Sequence, residues 1–139
     1  MDEALLAAYR TTEYRVRRQV GGWHCLRIDQ PLPPALSVEI GAQPWGFITA
    51  WNPRSQPLPL AQNRASQRHL LCLLREWPDA HIIHAGLGIA RNASWREPSL
   101  FIVGLEIAAL DTLAQRFGQH AYVHGRGAEP ARLRWTPAC

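Results

Sequence analysis

The 139-residue chain contains no lysine; all fifteen of its basic residues are arginine. That absence excludes Schiff-base chemistry, a lysine general base and the phosphate-binding lysine of a P-loop. Cysteine is scarce as well. Cys25, Cys72 and Cys139 are odd in number, and no two share metal-ligand or redox spacing, so they read as isolated thiols of a reducing compartment. His24 and Cys25 are adjacent, and adjacent strand residues point to opposite faces, which argues against a catalytic pair. No long hydrophobic run is present: residues 99–110 form the most apolar stretch, and Glu106 interrupts it. The opening MDEALLAAYR is acidic and lacks the apolar core of a secretory signal, so the expected location is the cytoplasm. Fifteen bases against eleven acids leave a net charge of +4 without a dense basic run, mild for a nucleic-acid binder.

Hydrophobic residues at 47% and charged residues at 19% are ordinary globular chemistry, and the length suits one domain over 1–139. Six of the twelve aromatics are tryptophan. Leu5, Leu6, Ala8 and Tyr9 predict an amphipathic helix over 2–12. Strand-like stretches at 13–18 and 23–28, joined through Gly21-Gly22, read as a hairpin. Residues 30–41, with Pro31, Pro33 and Pro34, read as a loop holding one helical turn. WGFITAW at 45–51 is a buried strand stopped by Asn52-Pro53, and 52–59 is an ordered, proline-rich loop. Leu70, Leu73, Leu74 and Trp77 mark one face of a helix over 60–77. Residues 81–89 and 99–105 are strands separated by a loop at 91–98. Ile107, Leu110, Ala114 and Phe117 align on a helix over 106–117 that Gly118 ends. Strands at 121–124 and 131–135 complete the chain.

From 45 to 124 the order is strand, helix, strand, strand, helix, strand. This is the split βαβ pattern, so the expected fold class is α+β: a single domain with a ferredoxin-like antiparallel core, extra edge strands and an N-terminal helix. A mostly parallel βαβ sheet is the alternative. In the preferred topology four segments meet at one sheet edge: 49–55, the helix start near Asn63 and Arg64, 95–99, and 119–120. Asn63 falls between Leu70 and Leu74 on the helical wheel, on the apolar face, where a buried amide needs partners. The backbone of the Asn52-Pro53 loop is the nearest source. Asn63 therefore either braces that loop or meets a ligand.

The same residues carry a family resemblance. ITAWNPRS with Asn63 downstream, then EPSL, then RFGQHA, resembles the bacterial domain of unknown function designated DUF3293, from AAYRTTEYRV to the ARLRW strand. The resemblance implies a small bacterial α/β protein. It marks Asn52, Pro53, Ser55, Asn63, Glu97, Pro98, Ser99 and Gln119 as motif residues. Leu58 and Pro59 stand where the family pattern favours a polar residue at the helix start.

Glu97 is the one acid among the converging groups and the candidate catalytic residue, as a general base or as an acceptor for a ligand hydroxyl or amine. Pairing with Arg54, Arg64 or Arg91 is the structural alternative. A second carboxylate for glycosidase chemistry is missing. Ser99, His120 and Glu97 can be written as a triad, but no elbow motif supports it. His81 and His84 face opposite sides of a strand, and His120 and His124 stand about 13 Å apart at about 3.3 Å per residue. No metal is therefore expected, and no cofactor. Gly86-Leu87-Gly88 lacks the third glycine and following helix of a dinucleotide loop, and reads as hairpin-loop flexibility. Arg64, Arg68 and Arg75 share a helix face, which is solvated unless it meets phosphates. Trp51 and Trp95 either stack on a ligand or pack into the core.

The expected function is binding of a small polar or anionic, nucleotide-like ligand at the sheet edge. Its ligand-binding residues are Trp51, Asn52, Arg54, Ser55, Asn63, Arg64, Trp95, Ser99 and Gln119. A protein-interaction module using the same loops is the second reading, and a weak nucleic-acid binder the third. No membrane partner is expected, and whether the chain is an enzyme stays open.

Overall fold

The computed structural model describes residues 2–92 and 94–138; Cys139 lies outside the described residues. Helix α1 (Glu3–Thr11) starts at Asp2, whose carboxylate accepts from the amides of Ala4 at 2.9 Å and Leu5 at 3.2 Å. Strands β1 (Glu13–Arg17) and β2 (Trp23–Leu26) form the hairpin around Gly21 and Gly22, both at positive φ. Next comes α2 (Pro34–Ile40), longer than the single turn expected there. Proline at the first helical position costs no hydrogen bond, so a proline-rich segment can still coil. The remaining elements are β3 (Pro44–Ile48), a 3-10 turn (Pro53–Ser55), α3 (Leu60–Arg75), β4 (Ile82–Ile89), β5 (Arg96–Val103), α4 (Ile107–Arg116), β6 (Ala121–Arg126) and β7 (Arg132–Trp135).

Three sequence expectations need correction here. Strand β3 stops at Ile48, so 49–51 belong to the loop. Strand β5 begins at Arg96 rather than Ser99, with Ile89 opposite Arg96, Gly88 opposite Glu97 and Leu87 opposite Pro98. Three of the eight residues of the expected 91–98 loop are therefore paired backbone. Gly86-Leu87-Gly88 is strand interior, not a flexible hairpin loop. Its glycines make room: a Cβ at Gly86 would stand 2.8 Å from Phe47 Cε2, and one at Gly88 would touch the Trp95 ring at 3.6 Å.

All seven strands join one sheet in the order β2-β1-β4-β5-β3-β6-β7, and every neighbouring pair is antiparallel. The fold is thus α+β, and the parallel alternative falls. Helix α3 connects β3 to β4 and α4 connects β5 to β6, while β1, β2 and β7 extend the two edges. Alternation along the strands divides the apolar residues between two cores. One contains Tyr14, Val16, Trp45, Phe47, Phe101 and Val123, covered by Leu36 and Ile40 of α2, with Tyr9 of α1 packed against it. The other sets Ile48, Leu100 and Ile102 against Leu70 and Leu74 of α3 and Leu110 and Leu113 of α4. Trp45 and Phe101 are 0% exposed, and truncating either to alanine would cost about 3–5 kcal/mol. No helix among the described residues is long and apolar enough to cross a membrane.

Candidate functional site

The loop after β3 is conformationally strained. Asn52, Arg54 and Ser55 all lie in the left-handed region, with φ of 45°, 56° and 58°. Residues held there cost on the order of 1–3 kcal/mol each unless their surroundings fix them, and here side chains from α3 and from the turn after α4 do so. Asn63 Oδ1 accepts from the Asn52 amide at 2.8 Å, and Asn63 Nδ2 donates to Asn52 Oδ1 at 2.7 Å. Asn52 Oδ1 also accepts from the Leu58 amide at 3.1 Å. Gln67 Oε1 accepts from the Ala50 amide at 2.9 Å, and Gln119 Nε2 donates to the Trp51 carbonyl at 3.2 Å. Thr49 Oγ1 ties the loop to β5 by donating to the Pro98 carbonyl at 2.7 Å. The start of α3 at Pro59 has no side-chain cap, and the Asn52–Asn63 pair secures this junction instead.

These bonds occupy Asn52 and Asn63 with each other and with backbone. Asn63, 2% exposed, is the brace that its place on the apolar face implied. Arg54 and Ser55 stand exposed on the loop. Trp51 and Arg64 border a cleft beside α3, which β5 shares through Pro98 and Leu100. Glu97 and Ser99 alternate with those two residues and therefore face the other side of the sheet. The expected set thus converges on one edge but divides between two faces.

On the α1 face, Glu97, Trp95, Ser99 and Gln119 line a cavity of about 40 Å³ with Tyr9, Tyr14, Phe47, Thr49 and Gly88. At roughly 10–15 Å³ per water, it admits a few waters or one small chemical group. Ser99, 4% exposed, donates its hydroxyl to the backbone carbonyl of Glu97 at 3.0 Å. It makes no hydrogen bond with His120, which leaves the written triad without geometry.

The Glu97 carboxylate stands apart from every other acid described so far. Among the described residues nothing hydrogen-bonds to it or ion-pairs with it, so the pairing with Arg54, Arg64 or Arg91 is not realised. Burial alone pushes its pKa up to about 7. Burial, with the Glu97 charge second, raises the nearby Tyr9 phenol to about 12, and burial raises Tyr14 further. Both tyrosines are neutral donors at any ordinary pH. Tyr14 spends its hydroxyl on the Tyr9 carbonyl at 2.7 Å.

Three contributors escape sequence reasoning. Tyr9 reads only as an apolar helix position, and Tyr14 as a strand residue; no local signal couples them to Glu97. Gln67 lies on the helix face of the arginine stripe and gives no sign that it holds a loop amide. Among the described residues no group of three or more His, Cys, Asp or Glu side chains is placed to hold a metal ion.

No curated protein and no solved structure matches the chain. The model of one family does, over residues 48–122, more than half the length and spanning the braced loop, Asn63, Glu97 and Gln119. The chain therefore belongs to the family described as a protein of unknown function, DUF3293.

Proposed function

We propose that the protein binds a small polar ligand through Glu97, presenting a hydrogen-bond-donating group, an amine or a hydroxyl, to the cavity on the α1 face. The carrying observation is the Glu97 carboxylate, half-buried and without a partner among the described residues. A half-buried carboxylate without a protein donor is only partly solvated, and a ligand N–H or O–H would complete its hydrogen bonding. Trp95, 36% exposed, forms the rim and offers a flat face to the rest of the ligand. Ser99 and Gln119 shape the floor.

The same considerations narrow the ligand. An anion beside Glu97 would be repelled, and about 40 Å³ does not hold a nucleobase, so neither an anionic group nor a nucleotide suits this cavity. A carboxyl that titrates near neutrality also suits proton transfer, so Glu97 is the group on which any acid–base step would run. We read β3-α3-β4-β5-α4-β6 as a split βαβ, ferredoxin-like core, on the strength of the order β4-β5-β3-β6. We place the chain in a bacterial cytoplasm, where the free thiols of Cys25 and Cys72 persist.

A thermal-shift series at pH 8 tests the binding reading, with ethanolamine, ethylene glycol and acetate at millimolar concentration. Ethanolamine should raise the melting temperature of the native chain, acetate should not, and Glu97→Gln should abolish the ethanolamine effect. Equal shifts from acetate, or an effect that survives Glu97→Gln, would remove the basis for this reading.

A further inference from the structure

On the opposite face of the sheet, α3 and the strands β4 and β5 border an open cleft of about 550 Å³. That size is typical of small-molecule sites. Its floor is hydrocarbon: Leu71 from α3, Leu87 from β4, Pro98 and Leu100 from β5, with Trp51 and Leu60 at the end nearest the braced loop. Three exposed arginines stand at its rim. Arg64 and Arg68 are one helical turn apart on α3, and Arg96 enters from β5. None of the three makes an ion pair or a side-chain hydrogen bond with any described residue, whereas six other ion pairs hold arginines or a histidine elsewhere. No aspartate or glutamate lines the cleft. Between the two helix arginines lies Gln67, whose Oε1 is fixed by the Ala50 amide and whose buried Nε2 has no partner.

From these features we infer that the cleft is a binding site for an amphipathic anion, a carboxylate or sulfonate carried on an alkyl chain or aromatic ring. Each part of the cleft has a counterpart in such a molecule. The leucine and proline floor takes the hydrocarbon, and along its length it offers a sugar or a base no hydrogen-bonding side chain. The unpaired guanidiniums, planar and permanently charged, take the anionic head in charge-assisted hydrogen bonds. Leu60, 52% exposed, leaves an opening through which the ligand enters. This site is independent of the Glu97 cavity, because the sheet stands between them.

The probe is sodium decanoate below its micellar concentration, titrated calorimetrically into the native chain. Decyltrimethylammonium, with the same chain and opposite charge, and acetate, with the charge and no chain, are the comparisons. Saturable one-to-one binding of decanoate is expected, at least about tenfold tighter than the cation, with no measurable heat from acetate. Replacing the exposed pair as Arg68→Gln with Arg96→Gln should weaken decanoate about tenfold or more and leave the melting temperature and any ethanolamine effect unchanged. Three results would overturn the inference: absent decanoate binding, equal affinity for the cation, or a double variant that binds like the native chain. A dimer in sedimentation equilibrium that decanoate fails to dissociate would assign this face to a second copy and overturn it too.

Discussion

Asn63 is a buried polar residue and Glu97 a half-buried one, and their hydrogen bonds separate them. Asn63 has partners for its oxygen and its amide within the loop it braces. Asn63→Ala would orphan the Asn52 amide and leave Asn52, Arg54 and Ser55 held in left-handed conformations by less, so a loss of about 2–3 kcal/mol in urea unfolding is expected. Asn63→Leu, similar in volume, should not recover it. The brace was legible because a polar side chain on an apolar helix face must find partners, and the nearest loop backbone supplies them. The isolation of Glu97 was not legible. Arg54, Arg64 and Arg91 are all candidate partners in the sequence, and only the folded chain shows that none of them pairs with it.

Among the elements, β5 decides how the site is divided. Reading its start at Ser99 leaves 95–98 as loop without a face; starting it at Arg96 sends Arg96, Pro98 and Leu100 to one side and Glu97, Ser99 and Phe101 to the other. The order of elements was legible from periodicity, since each helix and strand carries several apolar residues at its own spacing. The boundary was not, because Trp-Arg-Glu-Pro has the composition of a turn and proline is disfavoured in strands. The opposed glycines of β4 give a test at this scale. A Cβ at Gly86 would press on the Phe47 ring at 2.8 Å and on the Arg15 carbonyl at 3.2 Å, so Gly86→Ala should cost about 1–3 kcal/mol in a thermal melt. Gly41→Ala meets nothing within 4 Å, but a φ of 62° with a ψ of −134° suits glycine alone, so a cost of about 1–3 kcal/mol is expected.

At the scale of the whole molecule, the sheet is a partition: among the described residues, a carboxylate without partners lies on one side and guanidiniums without partners on the other. Absence of lysine gains meaning in that setting, since three of the fifteen arginines gather around one hydrocarbon cleft. Two carboxyls make global stability respond to pH in opposite senses. Asp111 accepts both arms of Arg134 at 2.8 Å and the Tyr122 hydroxyl at 2.7 Å, and the Arg134 bonds hold its pKa below the ordinary value. Its contribution is present at neutral pH and lost as the pH falls through the folded value, so the deficit of Asp111→Asn should shrink in acid unfolding. Glu97 behaves in reverse. Its carboxyl keeps a proton up to about 7 in the folded chain and loses it near 4.5 when unfolded, so stability falls as the pH rises between those values. The most direct test of the Glu97 assignment is the unfolding free energy of the native chain and of Glu97→Gln, measured side by side from pH 4 to pH 8.5. The variant should gain on the native chain as the pH passes from 4.5 to 7, by on the order of 2 kcal/mol at pH 8. A difference that does not change with pH, or a native chain that gains on the variant above pH 7, would contradict a half-buried carboxylate without a partner at this site.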